Sequence, residues 1–211
     1  MSKGMNHFSN TDSSWSPQSL QDDVQKLGCL LEQYRAYLRM LARSRLHQGL
    51  RGKVDPSDIV QEACVEAVRQ IGLFRGNSQA EFAGWLRGIL ADRIAKTARR
   101  YLGTQQRNLQ LEMQFQRELD EASGHLESCL SAGGATPSEI VAWNETTLEL
   151  ARAIESLPED YQQVVLLRNL QGLSFPEIAS AMDRSIDSVE KLWIRALLKL
   201  KQAMRPSQGE A

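Results

Sequence analysis

Residues 174–204, SFPEIASAMDRSIDSVEKLWIRALLKLKQAM, admit little besides two helices joined by a tight turn. Ser174 and Glu177 have the spacing of a reciprocal N-terminal cap, and Pro176 falls in the first turn, where a missing N–H costs nothing. Ile178, Ala179 and Met182 recur at helical spacing. Asp183 and Arg184 interrupt the run, and Ser185 is placed to cap a second helix. On that helix Val189, Leu192, Trp193, Ala196, Leu197 and Leu200 make one apolar stripe. At about 100° per residue, Arg184, Ser188, Lys191, Arg195 and Gln202 gather on the opposite side, with Lys199 at its edge. An apolar stripe holding a helix down, with a polar and basic face outward, is what reading a DNA major groove requires. An ordinary amphipathic hairpin with a solvated charged face fits this stretch too, so the rest of the chain decides.

Upstream, helical patterning recurs. Residues 1–21 are polar and read as a disordered tail. A helical period then runs to about residue 48, carried by Leu27, Leu31, Tyr34, Leu38 and Leu41 with arginines between them. Asp55-Pro56 starts a second helix, with Asp58 in its first turn facing the positive helix end. A third helix is expected from about 79 to 102, with Ser78 as its cap. Along it Phe82, Trp85 and Ile89 give way on one face to Arg93, Lys96 and Arg100, with Arg99 beside them. Trp85 reads either as core or as a base-stacking group, and the cations either as a solvated helix end or as phosphate contacts. Residues 104–137 read as a flexible linker containing a helical stretch over 109–130. Further helices lead from 138 through Leu157-Pro-Glu-Asp160 to the hairpin. The expected architecture is all-α. A domain over 22–103 is joined by the linker to a helix-turn-helix domain over 138–205, with a tail over 206–211.

Charge and chemistry narrow the function. Lys and Arg number 25 against 26 Asp and Glu, a net charge of −1, so any DNA binding must rest on local patches. Cys29, Cys64 and Cys129 are far apart, and His7, His47 and His125 are isolated. Neither a metal site nor a nucleophile–base pair is expected, so the chain reads as a non-enzyme without cofactor. With no apolar run long enough for a bilayer and no apolar core near its start, a cytoplasmic protein without membrane contact is expected.

Three segments in this order resemble the sigma-70 family of bacterial RNA polymerase sigma factors, in the small extracytoplasmic-function (ECF) form. Asp58-Ile-Val-Gln-Glu62 looks like the polymerase-binding motif of the family's second conserved region. Residues 82–100, FAGWLRGILADRIAKTARR, resemble the helix that recognises and helps melt the −10 element. Residues 157–201 look like the fourth conserved region, whose helix-turn-helix reads the −35 element. The resemblance implies core polymerase and promoter DNA as partners and leaves room for an anti-sigma factor. It implies that Asp58, Gln61 and Glu62 bind polymerase. Trp85, Arg93, Lys96, Arg99 and Arg100 would bind −10 DNA, and Arg184, Ser185, Ser188, Lys191 and Arg195 the −35 element. Arg184, Glu190 and Leu192 depart from the family's pattern, which implies an altered −35 preference. A stand-alone helix-turn-helix regulator and a degenerate sigma-like interaction protein are the competing expectations.

Overall fold

The computed structural model of the chain describes residues 20, 22–45, 54–102, 108–131 and 139–204. The expected C-terminal tail and, apart from Leu20, the expected N-terminal tail lie outside these. Among the described residues eight α-helices follow in order: α1 (Val24–Arg45), α2 (Pro56–Gln70), α3 (Gln79–Leu102), α4 (Asn108–Ser131), α5 (Glu139–Glu155), α6 (Glu159–Val165), α7 (Phe175–Met182) and α8 (Ile186–Ala203). Among the described residues there is no strand, and no helix is long and apolar enough to cross a membrane.

The helix starts follow the sequence closely. Asp55 caps α2 by accepting a hydrogen bond from the Ser57 N–H at 2.8 Å, with Pro56 at the first helical position. Before α3, Glu81 accepts from the Asn77 N–H at 2.6 Å, while the Glu81 N–H donates to Ser78 Oγ at 3.2 Å. Gly76 stands where a Cβ would lie 2.5 Å from the Phe74 ring, so only glycine fits this tight entry. The α7 cap is the expected box, with Glu177 accepting from the Ser174 N–H at 2.7 Å.

These caps make stability acid-sensitive. Backbone and hydroxyl donors hold Asp55, Glu81 and Glu177 below their ordinary values of 3.8 (Asp) and 4.5 (Glu). Their contribution is therefore complete above those values and is lost as pH falls through the lower folded-state ones. The thermal midpoint should fall as pH drops below about 4.5, and a midpoint flat from pH 5 to pH 3 would contradict it.

α1, α2 and α3 enclose a core in which Tyr34, Tyr37, Leu38, Leu41, Phe82, Leu86, Leu90 and Ile94 are almost wholly buried. α4, within the stretch read as linker, lies along α3 and buries Leu111, Phe115, Leu119, Ala122 and Leu126. A polar network fixes it: Arg87 donates to Asp120 at 2.6 Å and to the Tyr37 hydroxyl at 3.1 Å, and Tyr37 donates to Ser123 Oγ at 3.0 Å. The linker is thus in large part a packed helix.

In the second half, α6 widens into a π-type turn, Leu166–Leu170, closed by the Gln171 N–H on the Leu166 carbonyl at 3.1 Å. Gly172 follows with φ +70°, which glycine tolerates. α5 and this turn pack against α1 and α4, so one continuous core joins both halves. Arg39 on α1 donates to Glu155 on α5 at 2.8 Å, and Arg43 donates to Gln162. Gln171 donates to the Ser44 carbonyl, and His125 meets the Leu170 carbonyl at 3.1 Å.

Candidate nucleic-acid interface

Ile59, Val60, Ala63 and Ala67 anchor α2 in the core, which turns Asp58, Gln61 and Glu62 outward into solvent. Their spacing of three and four residues puts all three on one helical face. The same face borders a groove of about 730 Å³ between α2 and α3, whose far wall carries Arg93, Lys96 and Arg100. The residues read as a polymerase-binding motif and three of the cations expected at −10 DNA therefore line one groove.

Trp85 and Arg99 are placed elsewhere. The Trp85 ring packs 5.2 Å from Phe74 and 5.5 Å from Phe82, half-buried in an aromatic cluster that steadies the start of α3. Arg99 turns to α4, where its guanidinium lies 3.9 Å from Glu112.

The cations of the groove are not bare. Asp92 Oδ2 accepts from the Arg93 guanidinium at 2.8 Å and from Lys96 Nζ at 2.7 Å. Partial burial alone would raise the Asp92 carboxyl, but the Lys96 and Arg93 contacts outweigh it and hold it below the usual range. Arg93, only 17% exposed, also lies 3.7 Å from Glu66 on α2. Glu66 in turn accepts from Gln70 at 2.6 Å.

In the C-terminal hairpin, Asp183 takes the left-handed conformation, φ 52° and ψ 51°, that the turn requires. Ser185 caps α8 by accepting from the Ser188 N–H at 3.2 Å. Val189, Leu192 and Ala196 are buried, and Trp193 donates to Asn169 at 3.2 Å, so α8 is held by its apolar stripe. Lys191, Arg195 and Glu190 face solvent; Ser188 is half-buried. Ile194 and Leu198 lie on the same outward side, 52% and 58% exposed.

Leu192, in the apolar stripe, is only 8% exposed and belongs to the core, as its spacing predicts. Arg184 is committed to Asp160 at the start of α6, 2.6 Å away, and clasps the turn to its neighbour. Lys191 is paired with Asp187 at 2.8 Å. Sequence reasoning passed over this set of acids. Asp92–Lys96 and Asp187–Lys191 were readable as i,i+4 pairs, but Glu66–Arg93, Glu112–Arg99 and Asp160–Arg184 exist only through tertiary packing.

A family model described as sigma-70 region 2 matches residues 30–107, and one described as sigma-70, region 4 matches residues 147–200. The ECF RNA polymerase sigma-E factor of Escherichia coli (strain K12) is 33% identical over 154 residues, 72% of this chain and 75% of its own. The factor of that name from Haemophilus influenzae is 30% identical over 154 residues, covering 72% and 76%. A solved flagellar sigma/anti-sigma complex aligns with 90% of this chain and 98% of its own at 16% identity. Its TM-score of 0.31 is too low for the two folds to be compared.

Proposed function

The chain belongs to the sigma-70 family of RNA polymerase sigma factors, in its ECF group, and we infer that it directs polymerase to promoters through two separate grips. The α2 face of Asp58, Gln61 and Glu62 docks on core polymerase. The adjoining cations of α3 then hold the −10 region, where A·T-rich steps open most easily. α8 enters the major groove at the −35 element, with Lys191 and Arg195 directed at DNA and Ser185 and Ser188 at its entry. The observation that carries this reading is the shared groove, since it sets a polymerase contact and a DNA contact edge to edge. Neither surface has to bind tightly alone, because polymerase holds both near their targets. On this reading the chain supplies no chemical step and works in the cytoplasm, where polymerase works.

Two grips require the halves to part. Elements centred about 25 base pairs apart are separated by about 85 Å at 3.4 Å per base pair. Compact domains of these sizes, with radii of gyration of about 13 and 11 Å, fill only about 31 Å of that. With α4 still on α3, the chain from Ser131 to Glu139 reaches at most about 28 Å when fully extended. That falls short of the remaining gap by about half. At least the C-terminal part of α4 therefore leaves α3 when both elements are engaged.

Lys191→Ala with Arg195→Ala should reduce −35-dependent initiation and flatten its log–log salt dependence by about two, at roughly 0.9 per phosphate contact. Promoters with a scrambled −35 element should be insensitive to the change. Equal loss on both templates would remove α8 from the groove.

A further inference from the structure

Of the cations assigned to DNA, Arg93, Lys96, Arg99, Arg184 and Lys191 each hold a carboxylate of the chain itself. The arrangement is densest on α3, where Asp92 takes both Arg93 and Lys96 while Glu66 approaches Arg93 from α2. Asp92 and Glu66 thereby offset much of the charge of Arg93 and Lys96, with Arg69 also 3.7 Å from Glu66. A cation paired in this way keeps open N–H donors, but its charge is offset, so its pull on phosphate is weak until the carboxylate is displaced. The acid also repels the incoming strand.

The more exposed pairs, Lys191–Asp187 and Lys96–Asp92, are worth little to stability, and the more buried Arg93–Glu66 contact is long at 3.7 Å. They can be exchanged readily for a phosphate that is held in place, and only reluctantly for one met at random. We propose that Asp92 and Glu66 on the −10 surface, and Asp187 on the −35 surface, are specificity-setting residues. They keep the DNA-facing cations in internal ion pairs, so that the chain off polymerase ignores bulk DNA and releases those cations only where polymerase presents the promoter. The proposal rests on the DNA contacts assigned above. It also gives a physical reason for a net charge near zero in a chain that must touch two DNA elements. Random duplex binding is driven by counterion release, and a cation neutralised in advance releases none. On polymerase the high effective concentration of promoter DNA offsets the exchange.

The test uses the full chain without polymerase and a random-sequence duplex, with binding followed by fluorescence anisotropy across salt concentrations. Asp92→Asn with Glu66→Gln should tighten this binding about tenfold and steepen the log–log salt slope by nearly two, the increment for two added phosphate contacts. With polymerase, the preference for promoter over random duplex should fall by a similar factor. Asp187→Asn lies on an exposed helix face and serves as the second variant should the Asp92 change disturb packing. It should steepen the slope by about one. Unchanged free-chain binding and slope in both variants overturns the proposal. Arg93→Ala with Lys96→Ala, measured in −10-dependent initiation, separates the underlying reading. If that variant is unimpaired, the contact assignment itself falls. If it is impaired while the acid variants bind like the parent, only the role of the acids falls.

Discussion

Replacing Asp58 and Glu62 together by alanine should weaken binding to core polymerase about a hundredfold while moving the thermal midpoint little. Both side chains are exposed and touch nothing in the core, because Ile59, Val60, Ala63 and Ala67 carry the packing of α2. The cap survives the change, since it is Asp55 that accepts the Ser57 N–H. Loss of one acid from the first turn costs at most about 1 kcal/mol through the helix dipole. Against that, truncating charged partners that become desolvated in an interface typically costs about 2–5 kcal/mol. A loss of about 3 kcal/mol corresponds to about a hundredfold in dissociation constant. Titration of labelled chain against core polymerase measures it directly. An unchanged dissociation constant would remove this face from the polymerase interface.

How much of this could be read from the sequence follows the range of the interactions. Local chemistry was transparent. The ends of α3, the caps at Asp55, Ser78, Ser174 and Ser185, and the left-handed Asp183 all depend on neighbours within four residues. Periodicity also placed Leu192 in the apolar stripe, and its burial agrees. The spacing of Leu111, Phe115, Leu119 and Leu126 announced a helix inside the linker. No local signal said that it would lie along α3, because the Arg87–Asp120 and Tyr37–Ser123 contacts join residues far apart in the chain. The same holds for the site. Asp58, Gln61 and Glu62 stood out by resemblance to the family's motif, but their sharing a groove with Arg93, Lys96 and Arg100 depends on how α2 and α3 cross.

A chain locked in its closed form should bind polymerase and fail at promoters. Arg39 and Glu155 meet across the contact between α1 and α5, and replacing both by cysteine allows a short thiol-specific cross-linker to join the two halves. Cys29, Cys64 and Cys129 are changed to serine beforehand. Without cross-linker the variant loses one partly exposed ion pair, worth at most about 1 kcal/mol, and should initiate at least as well as its parent. Once bridged, it cannot place α3 and α8 on elements about 85 Å apart. Losing a second tethered contact of this kind typically costs about a hundredfold or more. Initiation at promoters that need both elements should fall by that factor, and cleaving the cross-linker should restore it. Polymerase binding should persist, because Asp58, Gln61 and Glu62 already face solvent in the closed form. Full initiation by the bridged chain would mean that both elements are reached without the halves parting, and α4 would then have no reason to leave α3. Loss of polymerase binding along with initiation would instead place the opening step before docking, so that polymerase itself, and not the promoter, separates the two halves.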